Sequence, residues 1–178
     1  SNKCAVGCEM GLESHLRMSI NDFHKLNANL ANHSFVDASP LIWKLRMIKS
    51  ESEISKIKKI VSIASKVFDE LPKHLQIGQS EIEICKIMKK TLLDHGADHT
   101  LYMSCASGPN GYDQIICDPT EKKLQDGDLL IIDTGTTLDG YFCDFDRNFG
   151  FGKIAKSARL AYDVVWEATE AGMKNAKP

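Results

Sequence analysis

Two aspartates eleven residues apart, Asp133 and Asp144, are the residues of this sequence best placed to do chemistry. Residues 129–135 form a short apolar run that predicts a buried strand. Residues 141–149 alternate between two faces, as a second strand does. Turn-forming residues 138–140 separate the two runs, so the segment predicts a β-hairpin that carries carboxylates on one face.

Two registers are open to this hairpin. A two-residue turn at 138–139 pairs Asp133 directly with Asp144, whereas a turn at 139–140 pairs it with Asp146. The registers differ by an even number of residues, so both keep the carboxylates on the same face.

Carboxylates that face one another across a sheet repel, and a divalent cation is the simplest reason to keep them there. The plainer interpretation is that Asp133 ends a strand and Asp144 is a solvated surface group. The apolar neighbours at 129–132 and 141–145 favour an interior hairpin, where unpaired charges are costly. We therefore predict a metal site.

Residues 127–135 and 139–147 resemble the first metal-ligand segment of the Xaa-Pro aminopeptidase/prolidase superfamily, which has the creatinase-like pita-bread fold. Both Asp positions, the Gly, the Gly-Tyr pair and Arg147 match the family pattern. Residues 45–54, 78–83 and 106–110 resemble other family segments. The similarity covers about residues 41–170, and the hairpin is its most specific part.

The resemblance implies an α+β fold, the N-terminal half of a pita-bread metallopeptidase domain with helices packed on an antiparallel sheet. Residues 1–40 are then the tail of an N-terminal domain plus a linker, and residues 41–178 the first part of the catalytic domain. Residues 1–2 look like a tag remnant.

The implied function is metal-dependent hydrolysis of the N-terminal residue from Xaa-Pro peptides or dipeptides, as in an aminopeptidase or Xaa-Pro dipeptidase. A dinuclear site of two divalent ions (Mn, Co, Zn or Fe) is implied, with Asp133 and Asp144 as ligands and Asp146 as a possible addition. Manganese is a typical ion, and a homodimer acting on a peptide or small molecule is expected.

The sequence departs from the family in three places. Asp146 replaces a family Thr, and the segment before Asp133 lacks a family His, a role for which Asp113, Gln114 or Asp118 are candidates. The His and two Glu that complete the family's site are also missing, since all six histidines precede Asp133. The catalytic residues therefore stay unknown, and we expect this chain to be an internal piece, inactive alone.

Two alternatives stay open. A hydrolase or lyase of the same superfamily can act on a small zwitterion such as creatine or an ectoine-like compound. The Asp pair counts against the metal-free creatine-cleaving branch, which lacks it. A catalytically silent pita-bread module that binds peptides is the other alternative, which the retained Asp pair disfavours and the missing ligands leave open.

Composition excludes several classes. The net charge of −2 gives no electrostatic case for nucleic acid or an anionic membrane, and no apolar run approaches the ~20 residues of a spanning helix. The six cysteines show no paired metal-binding spacing. Several of them lie in apolar strands and are expected to be small buried hydrophobes, and a reducing cytoplasm is the expected compartment.

Periodicity places the remaining elements. Helices are predicted at 13–32, from Ser50 to about 71, from Ser80 to about 95, and at 155–175, with Ser-x-x-Glu capping boxes opening the second and third. The last helix is expected to bury Leu160, Val164, Trp166 and Ala168.

A strand is predicted at 101–107 and an interdomain linker at 32–40. Arg147 is expected to be structural, paired with an acidic neighbour, with a catalytic role as the lesser alternative. Tyr102 and Tyr112 are candidate pocket residues, and core packing is at least an equal alternative for Tyr102.

Overall fold

The computed structural model describes residues 4–109, 114 and 116–177, which form two compact units divided after residue 51. The first unit contains β1 (Ala5–Cys8), α1 (Ile20–Asn29), β2 (Ser34–Asp37) and α2 (Ser39–Met47). The second contains most of α3 (Glu51–Glu70), a 3₁₀ helix (Leu71–His74), α4 (Glu81–Asp94), β3 (His99–Gly108), β4 (Leu129–Leu138), β5 (Tyr141–Gly150) and α5 (Lys156–Asn175). The domain boundary predicted after residue 40 stays a prediction.

The first unit corrects two sequence predictions. The helix expected at 13–32 is only α1, because Glu13 and Arg17 adopt positive φ and Ser19 caps a new helix by accepting from the Asp22 amide. The linker expected at 32–40 contains β2, which pairs in parallel with β1. A four-residue strand with one apolar pair is too short to give a periodic signal.

The second unit is a three-stranded antiparallel sheet in the order β3–β4–β5, with β4 in the centre. Apolar side chains of α3 and α4 share one core with the inward residues of the sheet. Its fully buried members include Ile60, Val67, Leu71, Ile84, Met88, Leu92, Leu124, Leu130 and Ile132. The predicted helices packed on an antiparallel sheet are confirmed.

Local signals set the limits of α4. Ser80 accepts a hydrogen bond from the Glu83 amide, and the Glu83 carboxylate accepts one from the Ser80 amide at 2.8 Å, so the predicted capping box is present. The helix ends before Gly96, which has a φ of +96°, a conformation that glycine adopts without steric cost. The turn after it leads directly into β3.

The last helix forms as predicted, but the predicted burial is wrong. Leu160, Val164 and Trp166 are 66%, 58% and 55% exposed, and Ala168 is also exposed. Periodicity locates an apolar stripe on a helix but does not say what covers it. No helix in the described part of the chain is both long and apolar enough to cross a membrane.

Candidate metal centre

The turn residues select one of the two hairpin registers. Asp139 and Gly140 have φ of 51° and 76°, which is the type I′ turn that Asp-Gly favours. Leu138 therefore faces Tyr141, and Asp133 lies directly opposite Asp146. The alternative pairing of Asp133 with Asp144 is not adopted, and Asp144 lies opposite Gly135.

The hairpin has one covered face and one open face. Cys143 is buried, and Phe145 and Phe149 stack on Phe68 of α3 with ring centroids 6.1 and 6.4 Å away. The carboxylates lie on the other face, where Asp144 and Asp146 are exposed and Asp133 is partly buried. The expectation of an interior hairpin is therefore correct only for the aromatic face, because Asp144 and Asp146 on the opposite face are exposed.

Tyr102 joins the two central carboxylates. Its hydroxyl lies 2.6 Å from Asp144 Oδ1 and 3.2 Å from Asp133 Oδ1, so a single hydroxyl lies within donating distance of both. Asp133 and Asp144 thus lie on the same face and within reach of one small group, as the parity of the hairpin predicts.

Gly135 makes this contact possible. Its neighbours are the rings of Tyr102 and Phe142, whose centroids are 6.5 Å apart, and any Cβ at position 135 would overlap both rings. The glycine two residues after Asp133 therefore has a steric role, since it leaves room for the Tyr102 ring and lets its hydroxyl reach the carboxylates.

The electrostatics follow from this crowding. Partial burial raises the pKa of Asp133, and the charges of Asp144 and Asp146 raise it further, against the lowering effect of the Tyr102 hydrogen bond. Burial, the hydrogen bond to Asp144 and the charge of Asp133 raise the pKa of Tyr102 well above its usual range. Tyr102 therefore stays protonated, and a donor, at neutral pH.

Two open pockets meet at the carboxylates. The larger, of about 1070 Å³, is lined by Asp133, Asp144 and Tyr102, by Asp118 and Lys89, and by the apolar groups of Ile82, Leu101, Met103, Ile116 and Pro119. A smaller recess of about 460 Å³ is lined by Asp133, Asp144, Phe145, Asp146 and Arg147. A ligand held by Asp133 and Asp144 is thus accessible from both sides.

The other predicted residues have mixed outcomes. Asp118 reaches the larger pocket, Gln114 is exposed, and Tyr112 and Asp113 lie outside the described residues. Arg147 is not paired with an acidic side chain in the described part of the chain. Its guanidinium donates to the Asp146 carbonyl at 2.5 Å and lies 5.1 and 5.9 Å from the ring centroids of Phe145 and Phe68.

The donor set fits part of a hard-cation site. Carboxylate oxygens suit divalent ions such as Mn²⁺, and Asp133 and Asp144 place two of them around the Tyr102 hydroxyl. Among residues 4–109, 114 and 116–177, however, no group of three His, Cys, Asp or Glu side chains is arranged to hold an ion. Asp133 and Asp144 can therefore contribute to a metal site without completing one.

Comparison with known proteins assigns the chain to a family. Residues 55–178 match the model of metallopeptidase family M24. An uncharacterized peptidase of Staphylococcus aureus (strain USA300) is 30% identical over 152 residues, which are 82% of this chain and 42% of the relative. The chain thus spans less than half the length of that relative.

Solved structures agree on the fold. Prolidase from Thermococcus sibiricus superposes with a TM-score of 0.85 at 28% identity, over 99% of this chain and 47% of its own. X-Pro aminopeptidase from Thermotoga maritima superposes with a TM-score of 0.82 at 25% identity, over 93% of this chain and 45% of its own. These matches confirm the predicted N-terminal half of a pita-bread domain. The protein is a member of the M24 family of metallopeptidases.

Proposed function

We propose that this protein removes the N-terminal residue from Xaa-Pro peptides or dipeptides in a metal-dependent reaction, with Asp133 and Asp144 as metal ligands. One observation carries the proposal. The two carboxylates share a face of the hairpin, are joined by the Tyr102 hydroxyl, and open into a 1070 Å³ pocket. The likeness to a prolidase and an X-Pro aminopeptidase supports the choice of substrate.

The chain's own residues would prepare the site for divalent ions, for which Mn, Co, Zn and Fe are the candidates. A bound divalent ion acts as a Lewis acid toward a peptide carbonyl. Asp133 and Asp144 would hold it, Asp146 is a possible further ligand, and Tyr102 would fix the orientation of both carboxylates. A second ion, and the His and Glu ligands that the family resemblance implies, belong to the same proposal.

The pocket suits a short peptide. Its lining includes the apolar side chains of Ile82, Leu101 and Met103, which are suitable for a proline ring. We further propose that the protein acts as a homodimer in the cytoplasm. The isolated chain is expected to bind divalent metal weakly and to hydrolyse no dipeptide, because two carboxylates do not fix the geometry of a catalytic ion.

The test uses the longest form of the protein that its gene encodes. After metal removal by a chelator, hydrolysis of Ala-Pro is measured with added Mn²⁺ or Co²⁺, with Ala-Ala as the comparison substrate. We expect metal-dependent cleavage of Ala-Pro, and its loss in Asp144→Asn with the fold retained. The matched control is Asp69→Asn, which neutralises an exposed carboxylate on α3. Full turnover by Asp144→Asn with either ion would overturn the proposal.

One feature favours a second candidate, a hydrolase or lyase of a small zwitterion. Lys89 lines the same pocket as Asp133 and Asp144, so a cation and anions face one ligand space. A compound with one cationic group, such as a guanidinium or an amidinium, and one carboxylate group is complementary to this arrangement. Turnover of creatine or an ectoine-like compound in the same assay, with none of Ala-Pro, would favour this candidate.

A further inference from the structure

Glu81 is a buried carboxylate away from the metal centre. It is the first residue of α4, and only 3% of its surface is exposed. A carboxylate at this depth is costly unless hydrogen-bond donors surround it. The position itself helps, because the N-terminus of a helix favours a negative charge.

Two separate segments supply the donors. The Ser107 hydroxyl at the end of β3 donates to Glu81 Oε1 at 2.7 Å. The amide and the hydroxyl of Thr120 donate to Oε2 at 3.0 and 2.7 Å. One side chain of α4 therefore joins β3 to the segment around Thr120.

Main-chain contacts strengthen the same junction. The Glu81 amide donates to the Lys122 carbonyl at 3.0 Å, and the Ile82 amide donates to the Thr120 carbonyl at 3.2 Å. The Lys122 ammonium contacts the Ser107 carbonyl. The first turn of α4, the end of β3 and residues 120–122 thus form one hydrogen-bonded unit.

This hydrogen-bonded group of segments lies next to the pocket of the metal centre. Thr120 follows Ile116, Cys117, Asp118 and Pro119, all of which line the 1070 Å³ pocket together with Asp133 and Asp144. Cys117 is held against β3, with its thiol 3.6 Å from the Cys105 carbonyl. The position of this wall relative to the carboxylates therefore depends on what holds Thr120.

We propose that Glu81 is a positioning residue that holds the wall formed by residues 116–119 against β3, and so sets the width of the substrate pocket. The part that concerns substrate rests on the proposed function. The part that concerns the wall stands on the hydrogen bonds alone. Glu81 does not touch the metal centre and acts only through the wall.

The first experiment measures the wall directly. Cys117 is alkylated with iodoacetamide in this chain and its rate is read by peptide mass spectrometry against the exposed Cys4. Removing the acceptor in Glu81→Ala leaves the Ser107 and Thr120 donors unpaired, so we expect alkylation about tenfold faster. Glu81→Gln keeps an amide oxygen for Thr120 and should restore most of the protection.

Two further variants keep the result interpretable. Glu83→Ala removes the capping-box carboxylate from the same helical turn, and it should leave the Cys117 rate unchanged. Thr120→Val leaves the sequence of α4 unchanged and removes the hydroxyl that donates to Glu81 and accepts from the Lys122 amide. It should accelerate alkylation even if Glu81→Ala does not fold. Equal rates in wild type and Thr120→Val, or equal acceleration by Glu83→Ala and Glu81→Ala, would overturn the proposal.

The second experiment links the wall to substrate. In the longest form of the protein, Glu81→Ala should raise KM for Ala-Pro severalfold with kcat nearly unchanged, and Glu81→Gln should restore KM. A loss of kcat at constant KM would contradict the positioning role. Absence of Ala-Pro cleavage by the wild type would overturn the proposed function, while the alkylation rates would still decide whether Glu81 holds the wall.

Discussion

Replacing Asp133 with Asn should stabilise the metal-free protein and remove its response to metal. In the fold, Asp133 lies directly opposite Asp146 and shares the Tyr102 hydroxyl with Asp144. Its raised pKa means that the charged form is disfavoured even after the Tyr102 hydrogen bond is included. Asparagine keeps the oxygen that accepts from Tyr102 and removes only the charge.

The size of the expected stabilisation follows from the repulsion between Asp133 and its two like-charged neighbours, Asp144 and Asp146. Each cross-strand pair of like charges costs about 0.2–1 kcal/mol, and exposure of Asp144 and Asp146 places this site in the lower half of that range. We expect a gain of about 0.5–1 kcal/mol at pH 7 in EDTA, which is roughly 1–4 °C in Tm for a chain of this size.

The stability difference between Asp133→Asn and wild type depends on pH. Because the folded pKa of Asp133 is raised above its ordinary value of 3.8, the protonated group favours folding. That contribution is complete below the unfolded pKa and is lost as pH rises through the folded pKa. The advantage of Asp133→Asn should therefore be full at pH 7 and should disappear below pH 3.8.

Thermal unfolding of wild type, Asp133→Asn and the control Asp69→Asn is measured in EDTA on this chain, and with and without Mn²⁺ on the longest form of the protein, because this chain alone is expected to bind the ion weakly. An ion that binds only the folded state stabilises it by about 2.7 kcal/mol at one hundred times its Kd. Wild type should therefore gain stability with Mn²⁺ while Asp133→Asn gains little, which reverses their order. A destabilised Asp133→Asn in EDTA, or equal stabilisation of both proteins by Mn²⁺, would refute the reasoning.

Three further predictions concern the surroundings of the site. Spectrophotometric titration at alkaline pH should show that Tyr102 and Tyr141 both ionise above the normal range, Tyr141 because its hydroxyl donates to Glu53. Tyr102→Phe should lack one of these two high transitions; loss of a normal tyrosine instead would contradict the assigned hydrogen bonds. Gly135→Ala should destabilise the protein by about 1–3 kcal/mol in urea, because its methyl group overlaps the Tyr102 and Phe142 rings; a neutral effect would show that the rings can move apart. Ser80→Ala should cost about 1 kcal/mol by loss of the α4 cap, measured by urea unfolding, and an unchanged midpoint would argue against the cap.

The sequence was sufficient for the shared face of the carboxylates but not for the hairpin register. Side chains alternate along a strand, so any even shift leaves Asp133, Asp144 and Asp146 on one face. Choosing the register requires the turn conformation. Asp139 and Gly140 both adopt positive φ, and this preference could have selected the register in advance.

The role of Tyr102 could not be predicted from local pattern. It depends on the alignment of β3 with β4, which contains an irregularity between Thr100 and Tyr102, and on the absence of a side chain at Gly135. The Glu81 junction is similar, because its donors lie 26 and 39 residues away along the chain. Long-range hydrogen bonds leave no periodic signal in a sequence.

The exposed apolar stripe of α5 shows that helical spacing alone does not predict burial. The spacing of Leu160 and Val164 predicts a helix correctly, but burial also needs a partner surface. The short strand β2 was missed for a related reason, since it pairs only with the short β1 and carries little apolar alternation.

Anomalous diffraction would show whether Asp133 and Asp144 bind a divalent metal ion. Crystals of the longest form of the protein would be grown with Mn²⁺ and measured near the manganese absorption edge. We expect an anomalous peak about 2.0–2.6 Å from carboxylate oxygens of both residues. A peak bound by other side chains, with Asp133 and Asp144 still joined only by the Tyr102 hydroxyl, would contradict it.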